Sequence, residues 1–168
     1  IIHAPILRPD LIDRLKKGKY IVDIQPRFVA SDFPWVIDRL GDRRAQHSYI
    51  WKKMIDSGIM CAGGSDAPVE PIQPLLGIHA AVTRQSPHAS SQVWNETERL
   101  SVPEAIRLFT VGGAYATNEE HVKGTLSVGK WANMTVYSKN IFAIHPAELL
   151  TTNVDMTIVG GKIQYTRE

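Results

Sequence analysis

Three polar side chains stand at matching places in this sequence. His3 follows Ile1-Ile2, Gln25 follows the run Ile21 to Ile24, and Asp66 comes just past the run from Ile59 to Gly64. Proline follows each within one or two places, at Pro5, Pro26 and Pro68. Imidazole and carboxylate are donors that suit zinc and similar divalent ions, and a carboxylate can also carry a proton. Side chains at the C-terminal ends of neighbouring parallel strands share one mouth, where α/β folds build their sites. Polar residues before proline are equally the ordinary way for a strand to exit into a loop. The spacing by itself leaves both readings open.

Other chemistries lack their parts. Ser65 is no nucleophile elbow, because Ala67 stands where G-x-S-x-G needs its last glycine. Gly63-Gly64-Ser65 has no Walker-type lysine to go with a phosphate cradle. Cys61 is the single cysteine, so no disulfide joins two parts of the chain. Its place inside Ile59 to Ala62 reads as a small buried hydrophobe. His47, His79, His88, His121 and His145 have no ligand spacing. His79 reads as part of a helix surface and the others as loop or helix-end residues. Arg84, at the end of a helix, is placed where it could approach the same mouth, but reads first as half of a structural ion pair.

The elements that would position His3, Gln25 and Asp66 alternate. Pro9 to Lys17 is expected to be a helix: proline suits its first position, Leu11, Ile12 and Leu15 share a face, and Gly18 stops it. Tyr20 to Ile24 reads as a strand, Gln46 to Ser57 as a helix, Ile59 to Ala62 as a strand and Pro74 to Arg84 as a helix. This is the pattern of parallel βα units. The strands are apolar runs, as buried parallel strands are, apart from Asp23. Residues 85–100 have no period and read as a loop. Ser101 and Glu104 form a capping box that opens a helix to about Thr117, with Gly112 and Gly113 weakening its middle or allowing close packing. The tail is different. Met134 to Tyr137 reads as a strand, and Asp155 to Val159, Gly160-Gly161 and Lys162 to Tyr165 as a hairpin. Three strands are too few for an independent sandwich, so this unit is expected to pair with strands from elsewhere.

The 168 residues are 43% hydrophobic and 21% charged, ordinary for a globular domain with a real core. A formal net charge of +2 gives no reason to expect a nucleic-acid or membrane partner. The cluster Lys16, Lys17 and Lys19 complements a helix dipole. No stretch approaches the roughly 20 apolar residues of a membrane span, and no signal peptide is read. The expected compartment is cytoplasmic, and the N-x-T sequons at Asn95 and Asn133 are read as chance matches. The first residue is isoleucine, so the start of the sequence carries no weight here.

Taken together, GGSDAPVEP (Gly63 to Pro71), PLLGIHAAVTR, VPEAIRLFTVGGAYA, KGTLSVGKWANMTVYSKN and TIVGGKIQY resemble the C-terminal part of metal-dependent amidohydrolases. The branch they resemble holds formamide deformylases and proteins labelled exoenzyme regulatory proteins. The likeness runs nearly the whole chain, from Ile1 to Glu168. It implies part of a (β/α)8 barrel: Ile1 to His3 as the end of strand six, Tyr20 to Gln25 as strand seven, and Ile59 to Asp66 as strand eight. Residues 1–122 would form this partial barrel and residues 123–168 the C-terminal share of a small β-sandwich. Asn133 departs from the family, which usually has aspartate there.

The resemblance also implies a site. His3 matches the sixth-strand metal-binding histidine and Asp66 the eighth-strand aspartate, which in the family is both ligand and proton shuttle. The implied cofactor is one or two divalent ions, zinc the expected one. The implied reaction is hydrolysis of a non-peptide C–N bond in a small-molecule amide. The family's H-x-H pair is absent from the sequence, and a barrel alone takes about 250 residues. The chain is therefore expected to be a piece of an enzyme, inactive alone. The alternative is a non-catalytic interaction or regulatory module that keeps the fold. Open strand edges predict a homo-oligomer, or pairing with an N-terminal portion.

Overall fold

The computed structural model describes residues 1–86 and 93–168. The fold is mixed α/β. In chain order it runs α1 (Pro9–Lys17), β1 (Ile21–Ile24), α2 (Phe28–Leu40), the single turn α3 (Asp42–Ala45), α4 (Trp51–Asp56), β2 (Met60–Gly63) and α5 (Pro74–Thr83). A 3-10 turn at Glu96–Glu98 precedes α6 (Val102–Arg107), a π-helical turn (Leu108–Gly112) and α7 (Gly113–Ala116). Strands β3 (Met134–Tyr137), β4 (Val154–Val159) and β5 (Lys162–Thr166) follow, with a 3-10 helix at Pro146–Thr151 between the first two.

β1 and β2 pair in parallel, with Ile21 opposite Met60 and Ile24 opposite Gly63. The N-terminal segment joins the other edge of β1 through a parallel bridge from Ile2 to Asp23. Three parallel segments therefore lie side by side, and their C-terminal ends bring residues 3, 25 and 64–66 to one side. Val22 and Ile24 are fully buried, as are Trp51 and Met54 of α4 and Ala80 of α5. The π turn lies directly on β2. A side chain at Gly112 would begin 2.2 Å from the carbonyl oxygen of Cys61, so only glycine permits that approach. Of the two sequence readings for this glycine pair, close packing holds at Gly112. Cys61 is buried as expected, and desolvation pushes its thiol up to about 12.

The tail forms a three-stranded antiparallel sheet in the order β3-β4-β5. Gly160 and Gly161 turn the β4–β5 hairpin with φ of 57° and 78°, both in the left-handed region that a two-residue turn of this kind requires. Asn133 Oδ1 accepts a 2.8 Å hydrogen bond from the Gly160 amide, tying β3's start to that turn. α5 packs on the 3-10 helix at Pro146–Thr151, whose Leu149 is buried.

Several expectations need correction. α2 has no counterpart in the sequence reading, because Pro34 in its interior looks like a break. The helix expected from Gln46 begins only at Trp51. Residues 47–49 are instead held by the N-terminal segment: Leu7 N–H donates to His47 O at 2.9 Å and Tyr49 N–H to Pro5 O at 2.8 Å. His79 is buried, 4% exposed, rather than on a helix surface, since α5 is apolar nearly all round. Arg84 is 2% exposed and grips backbone rather than a carboxylate. Its Nε donates to Trp94 O at 2.6 Å and Nη1 to Tyr49 O at 3.0 Å, with the guanidinium over the rings of Trp51 and Trp94. Residues 95–100 of the expected loop contain the 3-10 turn. Residues 87–92 of that loop, His88 included, lie outside the described residues. His145 does sit at a helix end, where its Nδ1 accepts from the Ala147 amide.

Candidate functional site

The N-terminal segment has little structure of its own. Its backbone is attached to β1 by three bonds, the Ile1 ammonium to Ile21 O, Asp23 N–H to Ile1 O and His3 N–H to Asp23 O, each 2.8 Å. At that point the chain bends sharply, with φ of 72° at His3 and 45° at Ala4. These are left-handed values that non-glycine residues rarely adopt, and such residues cluster at sites where surrounding structure imposes them. The bend carries the imidazole back over the end of β1. There Nδ1 lies 2.8 Å from Gln25 Oε1, and the ring stacks on Phe28 at 5.9 Å between centroids.

Asp66 arrives from the end of β2 in the same kind of conformation, with φ of 55°. Gly64 is still tied to β1, its N–H donating to Ile24 O at 2.9 Å. The turn beyond Asp66 is closed by backbone, Val69 N–H donating to Asp66 O at 2.8 Å, so the carboxylate is not used to close it. Asp66 Oδ2 lies 4.0 Å from His3 Nε2, and both side chains are a little over 40% exposed. The three residues aligned from the sequence thus meet: His3 with Gln25, and His3 with Asp66.

Sequence reasoning set Asp23 aside as an exception in an apolar strand. The structure places it behind Gln25, whose Nε2 faces Asp23 Oδ1 at 3.4 Å and its carbonyl oxygen at 3.5 Å. Burial raises the Asp23 carboxyl above its ordinary value. The charges of His3 and the N-terminus oppose that rise, and Asp66 adds to it. A lone acid in a buried strand was the available signal.

A second polar layer lies deeper. Arg27 Nε donates to Glu70 Oε2 at 3.1 Å, joining the turn after β1 to the loop after β2, and both side chains are mostly buried. Tyr49 donates a hydrogen bond to Asp32 Oδ2, and burial raises both groups. Burial, and then the charge of Arg27, lower His79. A cavity of about 180 Å³ opens beside this layer, lined by Arg27, Ser65, Gln73, Gly77 and Phe109 among others. The larger cavity, about 220 Å³, is lined by Ile55, Met60, Cys61, Leu108 and Val111 among others and holds none of the site residues.

His3 and Asp66 fit a divalent ion as two donors of a larger set. Bonds of about 2.0–2.1 Å to a tetrahedral ion would place them about 3.3 Å apart, a closure of less than about 1 Å for two half-exposed side chains. Among the described residues, no three histidine, cysteine, aspartate or glutamate side chains converge to hold an ion. Nor is any described helix long and apolar enough to cross a membrane.

The model of the amidohydrolase family matches residues 1–165. The chain is 47% identical to the putative amidohydrolase YtcJ of Bacillus subtilis, over 99% of this chain and 32% of that protein. It is 27% identical to the N-substituted formamide deformylase of Arthrobacter pascens, over 69% of this chain and 21% of that enzyme. Among solved structures it is similar to an uncharacterized metal-dependent hydrolase from Pyrococcus furiosus. That match has 35% identity and a TM-score of 0.66, over 77% of this chain and 26% of that one. The chain spans about a third or less of the length of these relatives.

Proposed function

The chain belongs to the amidohydrolase family, and we propose that it contributes His3 and Asp66 to the metal centre of a hydrolase acting on a non-peptide C–N bond. The observation that carries this reading is the approach of His3 Nε2 to Asp66 Oδ2 across the ends of parallel segments, with both residues in left-handed conformations. In the same reading, Ile1 to His3, β1 and β2 are strands six to eight of a (β/α)8 barrel. Residues 1–122 are its last part, and 123–168 contribute strands to a small β-sandwich. Among the described residues no strand covers the outer edge of β2 or the edges of the β3-β4-β5 sheet, and further strands, from another copy or another part of the protein, would pair there.

The chemistry follows from the residue types. A divalent ion, zinc in this proposal, would be held in part by His3 and Asp66, and would supply a Lewis acid and lower the pKa of a water to roughly 7. Asp66 is exposed enough to meet that water. Its carboxylate accepts the proton as the water attacks the amide carbon and returns it to the leaving nitrogen. The products are an acid and an amine. The Arg27–Glu70 pair ties the turn after β1 to the loop that follows Asp66.

A catalytic zinc takes three protein ligands, so the 168-residue chain is expected to bind zinc weakly and to hydrolyse no formamide or amide. In the full-length protein, Asp66→Asn should lower turnover by at least about a hundredfold even with excess metal supplied, and His3→Ala should lower the metal content itself. Elemental analysis and amide-hydrolysis assays on these variants are the test. Full turnover in Asp66→Asn would sink the assignment. So would robust turnover by the 168-residue chain with zinc.

A further inference from the structure

We propose that the turn after β1, Gln25 to Phe28, is a holder for His3, in which Gln25 fixes the imidazole tautomer and Phe28 fixes the plane of the ring. The metal reading above supplies the reason for aiming the ring; the holder itself stands on the geometry alone.

His3 needs one. Its segment reaches the sheet only through the bonds to β1, its side chain is 43% exposed, and φ at His3 and Ala4 is positive. Left to itself, such a ring would turn freely and exchange tautomers through water. Gln25 is the opposite: 4% exposed, on the last turn of backbone leaving β1. Its amide cannot be reversed without loss. The nitrogen faces two acceptors, Asp23 O and Asp23 Oδ1, at 3.5 and 3.4 Å. These contacts are long, yet only an NH₂ group can face two oxygens. The amide oxygen therefore faces His3 at 2.8 Å and must accept.

The consequence reaches the other side of the ring. If Nδ1 carries the hydrogen, a neutral imidazole has none on Nε2. Nε2 is the nitrogen that lies 4.0 Å from Asp66 Oδ2. Free histidine prefers the reverse tautomer, with the hydrogen on Nε2. Here that tautomer would set a ring lone pair against a buried amide oxygen and leave the oxygen without a donor, a penalty worth roughly tenfold or more in the tautomer ratio. Phe28, the first residue of α2, lies nearly parallel to the ring, 26° between planes, and limits its rotation. Outer groups that hold the far nitrogen of a histidine commonly tune it as a metal ligand. Asp23 is the third member of the line, since it orients the amide that orients the ring.

Nitrogen NMR on the histidine-labelled 168-residue chain tests this without metal or substrate. At a pH where imidazoles are neutral, His3→Ala identifies the His3 signals. The expected result is a protonated Nδ1 and an unprotonated Nε2 in the wild type. Gln25→Leu should shift the ratio toward the Nε2–H form by about tenfold or more. A wild-type His3 found mainly as Nε2–H overturns the proposal, whether or not Gln25→Leu folds. So does a folded Gln25→Leu chain that keeps the Nδ1–H form. Zinc is then added to the wild type, and the Nε2 resonance should move. If the wild type is Nδ1–H and the full-length His3→Ala protein keeps its metal, the holder stands and the metal reading falls.

Discussion

The parallel half and the antiparallel tail solve backbone problems in opposite ways. In residues 123–168, every residue with positive φ is glycine: Gly124, Gly129, Gly160 and Gly161. Before that, among the described residues, eight non-glycine residues adopt positive φ, including His3, Tyr49, Asp66 and Arg84. The tail obeys local rules. The parallel half overrides them wherever a distant contact demands it: His3 against Gln25, Tyr49 against Pro5, Arg84 against Trp94. Burial differs in the same sense. β1 alternates half-buried and buried residues over the core, whereas all of β5 is exposed. Functional constellations are expected where local preference and global fold disagree, and both site residues lie in the half where they do.

The sharpest way to break this comparison is to remove one side chain from each half. Trp51→Ala should cost about 3–5 kcal/mol, because the ring is fully buried and also carries the Arg84 guanidinium. Ile163→Ala, on a strand residue 60% exposed, should stay within about 0.5 kcal/mol. Urea unfolding of the two variants measures both. Equal losses would mean that the tail's exposed face is covered in solution, as a strand-paired oligomer would cover it.

A smaller effect separates imposed from natural left-handed positions. Gly161→Ala should destabilise by about 1–2 kcal/mol. Asp66→Gly should change stability by less than about 1 kcal/mol, since relief of the left-handed residue offsets the entropy that glycine adds to the unfolded chain. A larger loss in Asp66→Gly, read from the same unfolding curves, would mean that the carboxylate holds the loop rather than serving the site.

The smallest effect is a pH slope. His79 is kept neutral by burial, so its folded pKa lies below the unfolded value of 6.5. Below 6.5 the unfolded chain binds the extra proton first. The stability His79 contributes is thus present above 6.5 and lost as pH falls through its folded pKa, by at most about 1.4 kcal/mol per pH unit. His79→Leu should remove this slope in unfolding curves taken from neutral pH downward, while other groups keep theirs. An unchanged slope would show that His79 does not titrate on unfolding.

The same division explains what could be read from the sequence. α1 was legible to the residue, because proline, amphipathic spacing and Gly18 agree on it. The Ser101–Glu104 capping box and the Gly160-Gly161 hairpin were legible for the same reason. α2 was hidden by Pro34, and the true start of α4 by backbone bonds from residues 5–7 that no local window contains. His79 was misplaced because its burial depends on what packs around α5, and Arg84 because its acceptors lie at Tyr49 and Trp94. At the site, the alignment of His3, Gln25 and Asp66 was visible as a repeated strand-end pattern. The link from Gln25 to Asp23 was not, since nothing in the spacing says which way a buried amide points.

Arg84 has a consequence for how this chain can change length. Its carbonyl accepts from Trp94 N–H at 3.2 Å while its Nε donates to Trp94 O, so residues 84 and 94 form a clasp at the neck of the stretch between them. The clasp marks where α5 ends and where the chain returns toward the 3-10 turn at Glu96–Glu98. Doubling the length of a closed loop costs only about 0.6 kcal/mol in closure entropy. Sequence added between the two jaws is therefore expected to cost little in closure entropy as long as Arg84 and Trp94 stay joined. An insertion at this neck would have to leave that clasp intact.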